Sequence, residues 1–250
     1  MEEAQVKADW RDYLLSGLCI TLLTVISIGI VASLRIATGP ILAEYRVAFD
    51  IALVLILYGL ASAGLLRLML AIRPMPLGEH SMDSPAWTYW KLLTVLYRMG
   101  QGSLAWCTPF FMRPTLAALF GARIGADVAI GGGIDDPYLT DIRSGVVLGN
   151  ACLVSANVIS QGKLLCLPVV IREGATVGAN AVVMPGADIG RGAVLMSGAH
   201  LMPNTRIPDG EVWRGNPARK WTQAVAPVQK KKAGAEAPAQ FVQDPGGDPL

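Results

Sequence analysis

Residues 169–194 read VVIREGATVGANAVVMPGADIGRGAV, and a large aliphatic residue recurs in this stretch at every sixth position. The series has seven members and runs on past the stretch: Ile171, Val177, Val183, Ile189, Leu195, Leu201 and Ile207. The residue four places after each of the first six is small: Ala175, Ala181, Ala187, Ala193, Ala199 and Thr205. A helix or an ordinary strand would repeat every 3.6 or 2 residues, so the six-residue period predicts a solenoid.

A six-residue period suits a prism with three flat faces. Each short strand points one large aliphatic side chain into the core, and a small residue near the corner lets the chain turn. Glycine, as at Gly178 and Gly190, tolerates the backbone angles of such a turn. Three hexads close one coil of 18 residues, the spacing from Ile124 to Ile142. The sequence therefore predicts a left-handed parallel β-helix over residues 121–221.

An earlier block keeps the same spacing, and one segment between the two blocks breaks it. The earlier aliphatic residues are Ile124, Ile130, Ile142, Leu148 and Val154, and the fourth-place residues of the block, counting the hexad that starts at position 136, are Val128, Ile134, Thr140, Val146, Cys152 and Val158. From Val154 to Ile171 there are 17 positions, which is not a multiple of six. We expect a loop or an irregular coil edge within Asn157–Val169, and such departures commonly form binding surfaces.

The N-terminal part of the chain is strongly apolar. Leu14–Leu34 carries no charge over 21 residues, which is about 31 Å of helix and close to the thickness of a bilayer core. Ile51–Leu66 is uncharged over 16 residues and lengthens to Ile72 if Arg67 reaches the interface. Glu2 and Glu3 precede the first run, unlike the basic start of a cleaved signal peptide. Residues 1–73 are therefore predicted to form a transmembrane hairpin.

Basic residues near the ends of these spans suggest an orientation. Lys7 and Arg11 precede the first span, Arg35 and Arg46 lie between the spans, and four further basic residues follow the second: Arg67, Arg73, Lys91 and Arg98. This bias places both termini in the cytoplasm. The chain is therefore predicted to be a multi-pass protein of the cell inner (plasma) membrane with a cytoplasmic β-helix, and membrane lipids are expected partners.

Residues 74–120 combine a linker with aromatic segments. Aromatic and basic side chains alternate from Trp87 to Phe120, and both types favour the headgroup layer of a bilayer. We predict amphipathic interfacial helices, with ordinary packing against the β-helix as the alternative. The fold class expected is α + β, with the transmembrane and interfacial helices preceding the β-helix. Residues 222–250, rich in Pro, Gly, Ala and Lys, are predicted to be disordered.

Composition narrows the function classes. A net charge of +2 gives no sign of a nucleic-acid partner. The four cysteines, Cys19, Cys107, Cys152 and Cys166, lack metal-ligand spacing and are expected to be free thiols. The sequence has neither a nucleophile-elbow motif nor a phosphate-binding loop.

Residues 120–221 resemble the hexapeptide-repeat acyltransferase superfamily. The phrase at 169–194 looks like the family's terminal coils, and IPDGEVWRGNPARKW at 207–221 looks like its closing element, with GNPAR at 215–219 as the signature. The resemblance implies a homotrimer that binds acetyl-CoA or another acyl-CoA between neighbouring β-helices, without a metal. By the same resemblance, the cofactor-binding residues would be Gly178, Ala179, Met196, Ser197, Asn216, Arg219 and Lys220. The last two would lie near the CoA phosphates, or would be a solvated terminus.

A narrower likeness covers residues 131–164. The phrase GGGIDDPYLTDIRSGVVLGNACLVSANVISQGKL is similar to one in the membrane-tethered β-helix domain at the end of poly-amino-acid synthetases. Those domains also join transmembrane segments to a hexapeptide solenoid. Their role in assembly is less clearly that of a free-standing transferase.

Acyl transfer from a thioester to a hydroxyl needs a general base, and histidine suits the task because its pKa is near neutral pH. In the family that this chain resembles, that histidine precedes the final regular coils. The matching stretch, Leu153–Leu167, contains no histidine. Ser155 and Asn157 are near its place and Gln161 is in the following loop, so these three are the candidate substrate-binding residues. Asparagine can orient a substrate but cannot take up its proton.

Three residues are left as catalytic candidates. His200 is one of two histidines and ends a hexad at a corner, where it is a solvated residue, or else a base or a hydrogen-bond donor to CoA at a subunit boundary. Asp135 and Asp136 are adjacent acids in a glycine-rich coil. They either cap a turn or bind the acceptor, or one of them acts as base if burial raises its pKa.

Two functions follow from these patterns. The first is a membrane-anchored acyl-CoA-dependent acyltransferase, with acetyl as the expected group. Its acceptor would be a lipid-linked sugar, a polysaccharide precursor or another amphiphile at the cytoplasmic leaflet. The second, favoured by the missing loop histidine, is a non-catalytic trimeric scaffold or accessory subunit of a membrane assembly.

Overall fold

The computed structural model describes residues 9–42 and 45–222. Its helices are α1 (Trp10–Leu42), α2 (Arg46–Ile72), α3 (Pro85–Ala105) and α4 (Arg113–Leu119). By length and composition, α1 and α2 could each cross a membrane. Of the predicted disordered tail, only Thr222 is among the described residues.

Helix α3 lies between α2 and the β-helix. Ser84 caps its start by accepting a hydrogen bond from the Trp87 N–H at 3.3 Å, and Pro85 occupies its first turn, where its missing N–H costs nothing. Trp87 and Tyr97 are buried in a core that also includes Leu66 of α2. These aromatic residues of α3 are therefore packed inside the fold. The exposed aromatic side chains are found instead just after α3, at Trp106, Phe110 and Phe111.

Small residues let α2 and α3 approach closely, as is common between apolar helices. A Cβ atom at Gly59 would lie 2.3 Å from Cγ of Leu104, and one at Gly100 would lie 2.7 Å from Cβ of Ser62. The Ser62 hydroxyl donates to the Leu96 carbonyl at 2.7 Å. The end of α3 therefore lies level with Gly59, near the midpoint of α2.

The C-terminal half is a parallel β-helix of about five coils, as predicted. Sheet one contains β2 (Arg123–Ile124), β5 (Thr140–Ile142), β10 (Val169–Ile171), β13 (Asp188–Ile189) and β16 (Arg206–Ile207). Sheet two contains β3 (Ala129–Ile130), β6 (Val147–Leu148), β11 (Thr176–Val177), β14 (Val194–Leu195) and β17 (Val212–Arg214), closed by the antiparallel β18 (Arg219–Lys220). Sheet three contains β4 (Gly133–Asp135), β7 (Leu153–Ser155), β12 (Val182–Val183) and β15 (His200–Leu201). All seven aliphatic residues of the main series are 0% exposed and form the core.

The predicted break in the period is a β-hairpin. Its strands are β8 (Asn157–Ser160) and β9 (Lys163–Cys166), and β9 also pairs with β1 (Gly78–Ser81) of the linker. Ile142 and Ile171 are paired neighbours in sheet one although 29 positions separate them, 11 more than the usual 18. Leu164 of the hairpin is buried in the helical core. The extra residues therefore connect the β-helix to the helices.

Two fourth-place assignments were wrong. Ile134 is the inward residue of its own strand, because it pairs with Val154 in sheet three. The inward residue on the third side of the first coil is therefore two positions earlier than the six-residue frame predicts. The residues left over before the next strand include a short 3₁₀ turn at Pro137–Leu139. Val158, expected to be a corner residue, lies on β8 outside the coil.

Candidate functional site

The turns that follow the strands of sheet two form one edge of the prism, which we call the groove corner. Gly178 and Ala179 stack there on Met196 and Ser197 of the next coil. A Cβ atom at Gly178 would lie 2.3 Å from the Ser197 nitrogen, so the close approach of the two turns requires glycine. The Ala179 carbonyl accepts from the Gly198 N–H at 2.8 Å. These four predicted cofactor residues therefore lie together.

The closing segment reaches the same corner. Strand β17 stacks on β14, so the turn containing Asn216 follows the turn of Met196 and Ser197 along the prism. Both backbone groups of His200 are held by this segment: its N–H donates to the Gly215 carbonyl at 3.0 Å and its carbonyl accepts from the Ala218 N–H at 2.8 Å. His200 and the signature segment are therefore adjacent.

Arg219 and Lys220 are exposed on β18 at the end of the solenoid. The Lys220 ammonium pairs with Glu211 at 2.5 Å, and this hydrogen bond lowers the pKa of the Glu211 carboxyl. Within the described part of the chain, the Arg219 guanidinium donates only to the neighbouring Ala218 carbonyl, at 3.2 Å. The charge of Lys220 is therefore partly neutralised by Glu211, whereas no acid among the described residues pairs with Arg219. Binding of the CoA phosphates by either residue stays a prediction.

The catalytic candidates are not together within one chain. His200 is partly exposed and lies on the last strand of sheet three. Its neighbours on the three preceding strands of that sheet are, in order, Val182, Leu153 and Gly133. Gly133 is two residues before Asp135 on β4, so three strand spacings, about 14 Å, separate His200 from the coil of Asp135 and Asp136. A joint role for His200 and the two acids would need neighbouring subunits.

Asp136 is the centre of a buried cluster where α3 meets the β-helix. It is 3% exposed and has a left-handed backbone conformation with φ of 54°. Its Oδ2 accepts from the Asn157 amide at 2.5 Å and from the Trp90 indole at 3.4 Å, and its Oδ1 accepts from the Tyr138 hydroxyl at 2.9 Å. Burial raises the pKa of Asp136, while the hydrogen bond from Asn157 opposes that shift. The carboxylate joins three parts of the fold and is closed to a substrate.

The remaining predicted residues lie around this cluster. Asp135 pairs with Arg98 of α3 at 2.8 Å. Ser155 is buried, and its hydroxyl donates to the Asn157 carbonyl at 2.8 Å. Gln161 is exposed at the hairpin tip, where its φ is 50°. Of the three candidate substrate-binding residues, only Gln161 is therefore on an open surface.

Sequence reasoning missed Trp90 and Tyr138 as partners of Asp136. One signal was available. Position 136 is six residues after Ile130 and six before Ile142, so the regular frame calls for an inward aliphatic residue there. An acid in that place indicates a distorted coil with polar partners.

Comparisons with known proteins give likenesses among solved structures. No family model matches the sequence, and no curated protein matches it. A hexapeptide-repeat acetyltransferase from Vibrio cholerae, solved with acetyl-CoA, is similar over 65% of this chain and 85% of its own, with 18% identity and a TM-score of 0.40. Serine acetyltransferase from Brucella abortus is similar over 80% of this chain and 68% of its own, with 14% identity and a TM-score of 0.39.

A third solved structure is similar over a shorter range. It is a GDP-perosamine N-acetyltransferase from Caulobacter crescentus with CoA and GDP-perosamine, similar over 40% of this chain and 51% of its own, with 21% identity and a TM-score of 0.31. The fold of the present chain is established by its own strand registers and buried hexads. It is the hexapeptide-repeat β-helix that the sequence resembles.

Proposed function

We propose that this chain is a membrane-anchored, acyl-CoA-dependent acyltransferase whose CoA lies along the groove corner. The observation that carries the proposal is the stacking of Gly178–Ala179, Met196–Ser197 and the Asn216 turn at one edge, with His200 directly beside it. Residues from three separate parts of the chain thus form one continuous surface. The resemblance of the closing segment to the acyltransferase signature favours CoA as its ligand.

In the proposed reaction, an acceptor hydroxyl or amine attacks the thioester carbonyl of acetyl-CoA or another acyl-CoA. The bond from carbonyl carbon to sulfur breaks, and the CoA thiolate takes up a proton. His200 is the candidate base that takes the acceptor's proton, because it is partly exposed beside the groove and imidazole is the most frequent general base in such reactions. A homotrimer would complete the groove, since its second wall comes from a neighbouring β-helix by the same resemblance.

The anchor indicates where the acceptor would be. Helices α1 and α2 could hold the enzyme in the plasma membrane, and a soluble acceptor would not require such an anchor. We therefore propose an amphiphilic acceptor at the cytoplasmic leaflet, such as a lipid-linked sugar or a polysaccharide precursor.

A non-catalytic scaffold is the second candidate, and one observation favours it. The segment that should carry the family's histidine is here a hairpin fixed at both ends. Leu164 is 0% exposed in the helical core, and Asn157 is hydrogen-bonded to Asp136. A segment held in this way connects domains and does not present a base.

The proposal is tested by CoA binding to the full-length chain in detergent, measured by isothermal titration calorimetry. Ser197→Trp places a large ring on an exposed turn of the groove corner and should weaken CoA binding by at least about tenfold. Arg191→Trp is the control, since it also introduces a tryptophan on an exposed turn, at another corner of the same coil. If the wild-type chain binds no CoA, or if both variants bind it equally well, the groove assignment is wrong.

Catalysis is tested separately with His200→Gln. Loss of a general base should lower the rate of acyl transfer by roughly 100-fold or more and leave CoA affinity unchanged. Met202→Gln, on the exposed surface next to the same strand, is the control. Full transfer activity of the His200 variant would remove this residue from the mechanism. CoA binding without any transfer would favour the scaffold.

A further inference from the structure

A cavity of about 330 Å³ lies where the helices cover the first coil of the β-helix. Ile130 and Ile134 of the first coil line one side of the cavity. Residues of α3 and α4, among them Ala117, line the other side. This cavity could not be predicted from the sequence, because its walls come together only when α3 and α4 pack on the first coil.

The wall of the cavity carries one charge and it is positive. Arg113 is the only charged residue among those lining it, and its Nη1 donates to the Gly131 carbonyl at 3.1 Å. Its Nε and Nη2 groups have no hydrogen-bond partner among the described residues, and such a fork binds the oxygens of a phosphate or carboxylate well. Gln101 also lines the cavity, and its side-chain amide has no hydrogen-bond partner among residues 9–42 and 45–222. This wall can therefore bind an anionic oxygen group.

The rim of the cavity is aromatic and exposed. Phe110 lines the opening and is 75% exposed, while Trp106 and Phe111 nearby are 87% and 69% exposed. Aromatic rings of this kind favour the headgroup layer of a bilayer. The rim follows directly from the end of α3, which packs against Gly59 near the middle of α2. The rim therefore begins beside α2, one of the two apolar helices that could cross a membrane.

The cavity also lies at one end of the groove corner. Gly132 is in its lining, and the turn at Gly131–Gly132 is the first in the column that continues through Gly149 to Gly178. Two strand spacings, about 10 Å, separate the Gly131 turn from the Gly178 turn. A molecule in the cavity would therefore lie within the length of an extended cofactor arm from the proposed CoA groove.

We propose that this cavity binds the phosphate-bearing headgroup of a membrane amphiphile and, resting on the proposed function, that this amphiphile presents the acceptor. The Arg113 guanidinium binds the phosphate, Gln101 binds a neighbouring hydroxyl or oxygen, and the apolar tail leaves past the aromatic rim into the bilayer. The phosphate could come from a phospholipid or from an isoprenoid phosphate carrier, since the cavity recognises the same group in both.

The test is native mass spectrometry of the full-length chain in detergent. The probes are farnesyl monophosphate and phosphatidylglycerol, and the uncharged controls are farnesol and diacylglycerol. We expect both phosphates to bind more tightly than their uncharged counterparts. Whichever phosphate binds more tightly indicates the source of the ligand.

Variants assign the binding to the cavity. Arg113→Gln removes the charge, and Ala105→Trp fills the opening from an exposed position; each should weaken phosphate binding by about tenfold. Arg67→Gln is the matched control, because Arg67 is also exposed and donates to a backbone carbonyl, that of Ala118, at 2.7 Å. Equal binding by wild type and Arg113→Gln, or binding of farnesol as tight as that of its phosphate, would overturn the proposal.

CoA titration of the same samples separates the two proposals. If phosphate amphiphiles bind as expected and CoA does not, the site exists and the transferase function is wrong. If CoA binds and no phosphate amphiphile does, the transferase proposal survives and this site is wrong.

Discussion

The side-chain amide of Asn157 donates to Oδ2 of Asp136 at 2.5 Å, and this bond joins the two irregular corners of the β-helix. Asp136 follows β4 in the first coil, and Asn157 follows β7 in the second coil. The Trp90 indole of α3 donates to the same oxygen. One buried carboxylate therefore holds the first coil, the hairpin and the helical region in a fixed arrangement.

Removing this carboxylate should destabilise the junction. Asp136→Ala leaves the buried donors of Asn157, Trp90 and Tyr138 without their acceptor, and it should lower the free energy of unfolding by about 3 kcal/mol. Asp136→Asn keeps one acceptor for Asn157 and Trp90, and Tyr138 can rotate its hydroxyl to accept from the new amide. That variant should stay within about 1 kcal/mol of wild type. Thermal or denaturant unfolding in detergent measures both, and equal losses would contradict this account.

The same residue should give a measurable dependence on pH. Burial raises the folded-state pKa of Asp136 above the value of about 3.9 expected in the unfolded chain. Between those two pKa values the folded state binds more protons than the unfolded state. The free energy of unfolding therefore decreases as pH rises through this window and levels off above the folded-state pKa. Asp136→Asn lacks this group, so its stability relative to wild type should rise across that window. Asp135→Asn is the control, and a flat difference for Asp136→Asn would contradict the prediction.

Close packing of α2 and α3 should depend on two glycines. Gly59→Ala and Gly100→Ala each place a Cβ atom within 2.7 Å of the facing helix, and such overpacking costs about 1–3 kcal/mol. Gly64→Ala and Gly102→Ala make the same change on the same two helices where no atom lies within 4 Å. Thermal melting in detergent should separate the two pairs. Equal melting temperatures for all four variants would mean that α2 and α3 are not in this contact.

The periodic part of the fold could be predicted because a regular solenoid repeats one local geometry. Every member of the series from Ile171 to Ile207 is buried in the core, as a single inward position per strand requires. The Asp136 cluster could not be predicted in the same way. Its partners come from α3 and from a hairpin, and their meeting depends on how two irregular corners stack.

The aromatic segment shows a second limit on prediction. Alternating aromatic and basic residues suit a membrane surface and a protein surface equally well, because both are half apolar. The structure buries Trp87, whose ring stacks on that of Trp90 at 5.3 Å, and leaves Trp106 exposed. Only tertiary packing distinguishes these tryptophans, so the sequence left an interfacial position and ordinary packing open for all of them.

The exposed rim after α3 should lie in the headgroup layer, and Cys107 offers a way to measure this. Cys107 is exposed, whereas Cys152 and Cys166 are buried, and burial raises their pKa values to about 11 and about 12. A nitroxide label on a Cys19→Ser background should therefore react selectively at Cys107. In vesicles, electron paramagnetic resonance should show this label more accessible to oxygen, and less accessible to a polar nickel reagent, than a label in bulk water. The reference in water is a label on Asp209→Cys, on an exposed turn of the last coil, in a Cys19→Ser and Cys107→Ser background. The same accessibility at both sites would place the rim in water.

The hairpin should act as a connector whose loss leaves the solenoid folded. Leu164 is 0% exposed and packs in the helical core with Leu66 and Phe120, whereas Leu201 is equally buried in the β-helix core. Leu164→Ala should cost about 2–5 kcal/mol at the junction, because it leaves a cavity between the hairpin and the helices.

Hydrogen exchange by mass spectrometry should show the difference in location. Under Leu164→Ala, protection should fall in residues 78–105 and 157–166 and persist in residues 169–214, because the coils hydrogen-bond to one another without help from the hairpin. Leu201→Ala is the matched control and should lower protection mainly within the coils. If Leu164→Ala lowers protection equally throughout the chain, the helices and the β-helix unfold as one unit. The hairpin would then belong to a single common core.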